Sequence, residues 1–190
     1  MDNVLLVPEM TSVPSPRLSD LITRFETEAL AAAASVERVP NSAVDLRAAV
    51  ERIASGSIAI AEPLDLRPEL FAEVRKLPGV ILGRSKEELA TCEVGITEAF
   101  AGVARTGSVC VTVDHDYAGP ISLLTRLHIA VLAAETIVER PEDLFRPGCL
   151  DGKDLQRNFV FITGPSATAD MGPLVRGVHG PHQLHIVILE

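Results

Sequence analysis

The chain has 190 residues, a length that suits one domain and buries roughly 70% of the unfolded surface with no disulfide or metal needed. Hydrophobic residues make up 47% and charged residues 23%, but aromatic residues only 4% with no Trp, so the core must be aliphatic. A net charge of −9 excludes the basic surplus that phosphate-backbone binding requires.

Residues 1–16 carry a short apolar run, Val4–Val7, and then Pro8, Pro14 and Pro16, which reads as an N-terminal arm. Ser15-Pro16 starts a helix, and Leu18, Leu21, Ile22, Phe25 and Ala29 recur at three- and four-residue steps to about Ala34. Val36–Val39 predicts a strand. Asn41-Ser42 caps a second helix with Leu46, Val50 and Ile53 on one face, ending at Gly56. Ser57–Ala61 is a β-run, Pro68–Lys76 a short helix, Pro78-Gly79 a turn, and Val80–Leu82 a strand. This alternation of helices and apolar strands predicts an α/β fold, with a mostly parallel sheet covered on both faces.

The pattern changes after Cys92. Val94–Thr97 leads into two β-runs, Ala99–Ala104 and Ser108–Val113, joined by Arg105-Thr-Gly107 as an inserted β-hairpin. Asp114–Pro120 is a polar loop, Ile121–Thr125 a helical turn, and Leu127–Ala133 a buried strand with one histidine, His128. Pro141–Phe145 starts a short helix, and Pro147-Gly148 and Asp151-Gly152 make the next loop. Phe159–Thr163 reads as a buried strand delivering the polar loop Thr163–Asp170. The loop Gly177-Val-His-Gly-Pro181 precedes a last strand, Leu184–Leu189. Residues 17–190 thus form one domain.

Cys92, Cys110 and Cys149 are widely spaced and include no C-x-x-C pair, which argues for reduced thiols and against a cluster or zinc site made by this chain alone. There is no basic n-region before Arg17, and no apolar run reaches the ~20 residues of a membrane span, so the expected location is the cytoplasm.

Loops of small and hydroxyl residues beyond the carboxyl ends of strands are where α/β sheets bind ligands. Thr163, Gly164, Ser166 and Thr168 can turn donors toward an anion, with Gly164 allowing close approach. The alternative is a capping loop in which Thr168 or Asp170 starts a helix or turn. The loop is neither a Walker loop nor a dinucleotide fingerprint, and Thr168 stands where a nucleophile elbow needs its second glycine. His179, His182 and His185 are three apart, but His182 and His185 would face opposite sides of a strand, so no metal is expected there. His179, between glycines, is the one to face a pocket. His128 reads as a hydrogen-bonded core histidine, with a site role as the alternative. Glu98, Asp114, Asp116 and Asp170 are the carboxylates near these loops. Arg105, Thr106, Gly107 and Ser108 form either a plain hairpin turn or a second loop lining the same cleft, and Gly180 borders the third.

Gly95-Ile-Thr97, Thr106-Gly-Ser108, Leu127-His-Ile129, Phe161-Ile-Thr-Gly-Pro-Ser166 with Thr168-Ala-Asp170, and Gly177-Val-His-Gly-Pro181 with Leu184-His-Ile186 occur in that order. Together they resemble the LUD-domain family, typified by the lactate-utilization protein C group. The resemblance is dense over 94–190 and looser over 20–82. It implies a fold like that of the sugar-phosphate isomerase and CoA-transferase superfamily. It also implies a link to the oxidation of L-lactate to pyruvate alongside partner proteins that carry iron–sulfur clusters. The chain departs from the family where an acidic residue usually precedes Thr-Gly, for here Arg105 stands in its place. An arginine there removes a possible carboxylate and favours an anion.

Three functions are therefore expected in competition. The first is an accessory or ligand-binding subunit of a lactate-oxidising system, holding a small anion or phosphorylated cofactor among the three loops, with no cofactor of its own. The second is a stand-alone isomerase- or transferase-type enzyme acting on a phosphorylated or CoA-linked small molecule, with Glu98, Asp170 or His179 as its catalytic residue. The third is a non-catalytic assembly protein, with Val4–Val7 as the docking arm. A homo-oligomer is compatible with each.

Overall fold

The computed structural model describes residues 17–81, 85–146, 157–168 and 173–190. The expected arm 1–16, Leu82, the turns at Pro147-Gly148 and Asp151-Gly152, Cys149 and Asp170 lie outside these residues.

Helix α1 (Leu18–Ala31) buries Ile22, Phe25 and Ala29, as the spacing requires. It stops short of Ala34 because Ala33 turns to φ +65° and the Ala34 N–H bonds back to the Ala29 carbonyl at 3.0 Å. Strand β1 (Ser35–Val39) follows. Helix α2 (Ala43–Ile53) starts at Ser42, whose hydroxyl accepts from the Asp45 N–H at 3.2 Å. It ends at Ile53 rather than Gly56, the backbone being extended at Ala54. Then come β2 (Ile58–Ile60), α3 (Pro68–Val74) and α4 (Lys86–Ala90). The expected strand at Val80 amounts to a single bridge, Val80 to Ile58.

Strand β3 (Val94–Ala99) runs in the main sheet. At Phe100 the chain bends, the Phe100 N–H bonding to the Cys110 carbonyl at 3.0 Å, and β4 (Ala101–Val103) belongs to a second sheet. Strand β5 (Ser108–Thr112) pairs antiparallel with β4, which is the expected hairpin. Helix α5 (Ala118–Leu124) leads into β6 (Leu127–Ala133). Next are β7 (Ile137–Val138), a 3-10 turn at Pro141–Phe145 where a short helix was expected, β8 (Phe159–Ile162), β9 (Ala167–Thr168), β10 (Val175–Arg176) and β11 (Gln183–Leu189).

The main sheet has the order β1-β11-β6-β3-β2 and every pairing in it is parallel. Its side chains alternate between two apolar layers. Ile96, Ile129, Val131, Val187 and Leu189 pack against α2 and α3 through Leu46, Val50, Leu70, Phe71 and Val74. Ala130, Leu132, Leu184, Ile186 and Ile188 pack on the other face against α1, α4, α5 and β5, through residues such as Phe25, Leu89, Ile121 and Val109. Both faces are covered, which is why the strands read as continuous apolar runs.

The small sheet has the order β7-β4-β5-β8. Here the sequence reading needs correction. Strand β8 is not buried: it is the edge strand of the small sheet, and Val160 and Phe161 are 41% and 43% exposed. Apolar composition suggested a core strand, but Val160 instead faces a cavity and the Phe161 ring packs on the other face against Phe159.

Candidate functional site

That cavity has a volume of ≈ 720 Å³. Its floor is His128 and Leu184, the second residues of β6 and β11. One wall is α5, with Pro120, Ser122, Leu123 and Leu124. Strand β8 also lines it, with Val160 and Ile162 on the face that Val109 and Val111 share, while the Phe161 ring packs on the other face against Phe159. The rim is made by 163–166 and 179–181, with Lys86 at the start of α4. The site therefore lies beside the amino-terminal ends of the main strands, not beyond their carboxyl ends as expected.

Two of the three expected loops converge there. Residues 167–168 and 175–176 pair as β9 and β10, so the two loops are arms of one hairpin. The Ser166 N–H bonds to the Pro181 carbonyl at 3.0 Å, and the Gly177 N–H bonds to the Ser166 carbonyl at 2.9 Å. Thr163, Gly164, Ser166, His179 and Gly180 all line the cavity. Thr168 does not, because it is spent in the β9–β10 pairing opposite Val175.

The third loop is placed elsewhere. Gly107 (φ +63°) is pressed on α1, where a Cβ would lie 2.1 Å from the Ala29 nitrogen. Gly164 (φ +69°) sits on the end of the same helix, where a Cβ would lie 2.0 Å from the Ala32 carbonyl oxygen. Both glycines are required by close backbone approach. Arg105 and Thr106 are exposed on this turn, and neither they, Gly107 nor Ser108 lines the cavity. The turn reaches it only through a hydroxyl chain: Thr106 Oγ1 lies 2.6 Å from Ser108 Oγ, which lies 2.6 Å from Thr163 Oγ1. The cation beside the cavity is Lys86, not Arg105.

Among the described residues, the expected carboxylates are also placed away from it. Glu98, buried near the end of β3, accepts the backbone N–H groups of Leu64 (2.5 Å), Asp65 (3.0 Å) and Leu66 (2.6 Å). Its oxygens are thus taken up in holding the loop after β2. Asp116 accepts the Glu62 N–H at 2.5 Å, and Asp114 accepts from the Asn158 side chain at 3.0 Å. In the same region Arg157 bonds Asp65 at 2.6 Å and stacks over Phe100 with 5.2 Å to the ring centroid.

The histidines diverge. His182 packs its ring under Gly177. His185 faces the opposite side of the sheet, Nδ1 2.7 Å from Ser35 Oγ, and burial lowers its pKa. Among the described residues, no three of His, Cys, Asp and Glu gather where they could hold a metal ion. His128 joins both of its expected roles. It is fully buried and bonds Thr97 Oγ1 through Nε2 at 2.8 Å, yet it also lines the cavity. Burial pushes its pKa down to about 4, so it is neutral at pH 7. Its Nδ1 is buried with no hydrogen-bond partner.

Lys86 and the α5 wall were missed from sequence. A signal for Lys86 existed: Ser85 and Glu88 form a reciprocal capping box, S-x-x-E, that fixes the start of α4. Nothing in the composition of α5 distinguishes a cavity wall from core.

The model of the family described as LUD domain matches residues 81–189. The chain is 29% identical over 114 residues to lactate utilization protein C of Oceanobacillus iheyensis, covering 57% of this chain and 49% of that protein. It is 36% identical over 101 residues to lactate utilization protein C of Bacillus subtilis, covering 51% of this chain and 42% of that protein. The chain spans about half the length of the curated relatives it matches. A crystal structure of a DUF162 family protein from Deinococcus radiodurans superposes with a TM-score of 0.69 at 19% identity, over 92% of this chain and 99% of that one, and so shares the fold.

Proposed function

The chain belongs to the LUD domain family, and from that premise we propose that it is the ligand-binding unit of a lactate-utilization system. The observation that carries this is the convergence of 163–166, 179–181 and His128 on one cavity, within the segment that the LUD domain model matches, in a chain similar to lactate utilization proteins C. In this reading the chain serves the oxidation of L-lactate to pyruvate as an accessory subunit in the cytoplasm. The electrons pass to partner proteins that hold iron–sulfur clusters. Cys92 and Cys110 are buried in separate apolar clusters of this chain, which fits thiols used for packing. The stand-alone enzyme draws less support, since Glu98 is bound by three backbone N–H groups.

Gene deletion with complementation tests the proposal, read as growth on L-lactate. Deletion should abolish growth, the wild-type gene should restore it, and Leu123→Glu, which places a charge on the exposed cavity wall, should not. Undiminished growth of the deletion strain on L-lactate would overturn it.

A further inference from the structure

Assigning the cavity as the ligand site leaves open which ligand it takes, and its walls bear on that question. Lactate has three carbons and three strongly hydrated oxygens. A cavity of ≈ 720 Å³ falls among those that enclose drug-sized ligands, roughly 300–1,000 Å³. Leu123, Val160 and Leu184 offer such a small acid no partner for its carboxylate, which only the rim supplies, and burying it among them unpaired is costly. A body large and apolar enough to cover these walls gains what lactate cannot.

We infer that the cavity takes a drug-sized amphipathic anion rather than lactate itself: its apolar body lies against Leu123 and Val160, above Leu184, and its charged end meets Lys86 at the rim. This rests on the cavity being the functional site proposed above. The charged end is assigned by chemistry. Lys86 is exposed, so an anion paired with it keeps much of its hydration.

The test is calorimetric titration of the purified full chain with decanoate, decan-1-ol and L-lactate. Decanoate should bind at one site per chain, and a hundredfold excess of L-lactate should not displace it. Lys86→Gln should weaken decanoate by about three- to fivefold and leave decan-1-ol unchanged. Leu123→Glu, at an exposed position that should not affect folding, should weaken decanoate by about tenfold or more. No decanoate binding, displacement by equimolar lactate, or decanoate binding unchanged in both Lys86→Gln and Leu123→Glu would overturn the inference. These outcomes are separable from growth. Decanoate binding as expected with normal lactate growth of the deletion strain leaves the ligand class standing and removes the pathway. Failed growth without decanoate binding does the reverse.

Discussion

Replacing Glu98 by glutamine separates a structural anchor from a catalytic base. The wild-type carboxylate accepts three successive backbone N–H groups, of Leu64, Asp65 and Leu66, at 2.5 to 3.1 Å, and the residue is 9% exposed. The amide keeps one acceptor oxygen and turns an NH₂ toward donors. At least one N–H is left unpaired and the remaining bonds lose their charge assistance. A bond to a charged group contributes about 1.5–3 kcal/mol and an orphaned buried donor costs about 1–3 kcal/mol, which together put the loss at about 2–4 kcal/mol once non-additivity is allowed for. For a chain of this size about 1 kcal/mol moves Tm by roughly 2–4 °C, so Tm should fall by roughly 5–12 °C. Thermal unfolding followed by circular dichroism reads this directly. Decanoate affinity of the folded fraction should be unchanged, since Glu98 is not at the cavity. A Tm within about 1 °C of wild type would refute the anchoring argument. Loss of lactate growth at full stability would return Glu98 to a catalytic role.

Three further outcomes are expected. Gly164→Ala, which meets both φ +69° and the Ala32 carbonyl, should cost about 2–4 kcal/mol in denaturant unfolding and loosen the cavity rim; a cost below 0.5 kcal/mol would mean the loop stands off α1. The depressed pKa of His128 means the unfolded chain binds more protons between pH 6.5 and about 4, so stability should rise with pH across that window. The contribution is about 3 kcal/mol, present above pH 6.5 and lost below about 4, and His185 shifts in the same direction. His128→Gln should flatten the profile measured by guanidinium unfolding from pH 4 to 7, and an unchanged slope would count against the buried neutral imidazole. Arg157→Met should cost about 2 kcal/mol by removing the Arg157–Asp65 ion pair and the cation stacked on Phe100, with no change in decanoate binding.

Periodicity made the covered parallel sheet readable, because strands buried on both faces have to be apolar along their whole length. It also made α1 and α2 readable, because their buried residues repeat at helical spacing. The same rule misled at Phe159–Ile162. An apolar edge strand facing a cavity has the composition of a core strand, and only its neighbours tell them apart. At 163–181 the loop chemistry was legible and half of the geometry followed, since Ser166, His179 and Gly180 do share a cavity. What could not be read was which face a turn presents. Thr106-Gly-Ser108 has the composition of a ligand loop, but Gly107 is there because the Ala29 backbone is 2.1 Å from where a Cβ would be. Glu98 shows the same limit for charge: three N–H groups contributed by residues 64–66, more than thirty positions away, decide its role.

The arrangement gives the last turn of α1 an unexpected weight. Gly107 and Gly164 press on that turn from two strands of the small sheet's periphery, and Ser108 and Thr163 are joined there by a hydroxyl bond. Thr163 and Gly164 in turn begin the rim that carries Ser166 and, across the Ser166–Pro181 bond, the His179 loop. A rim built this way borrows its rigidity from a helix that touches no ligand. The motif Thr-Gly at 106–107 then supports the rim without lining the cavity, and the arginine at 105 is exposed on the turn. The residues that select a ligand are to be sought instead on α5, β8 and α4, the elements whose residues line the cavity.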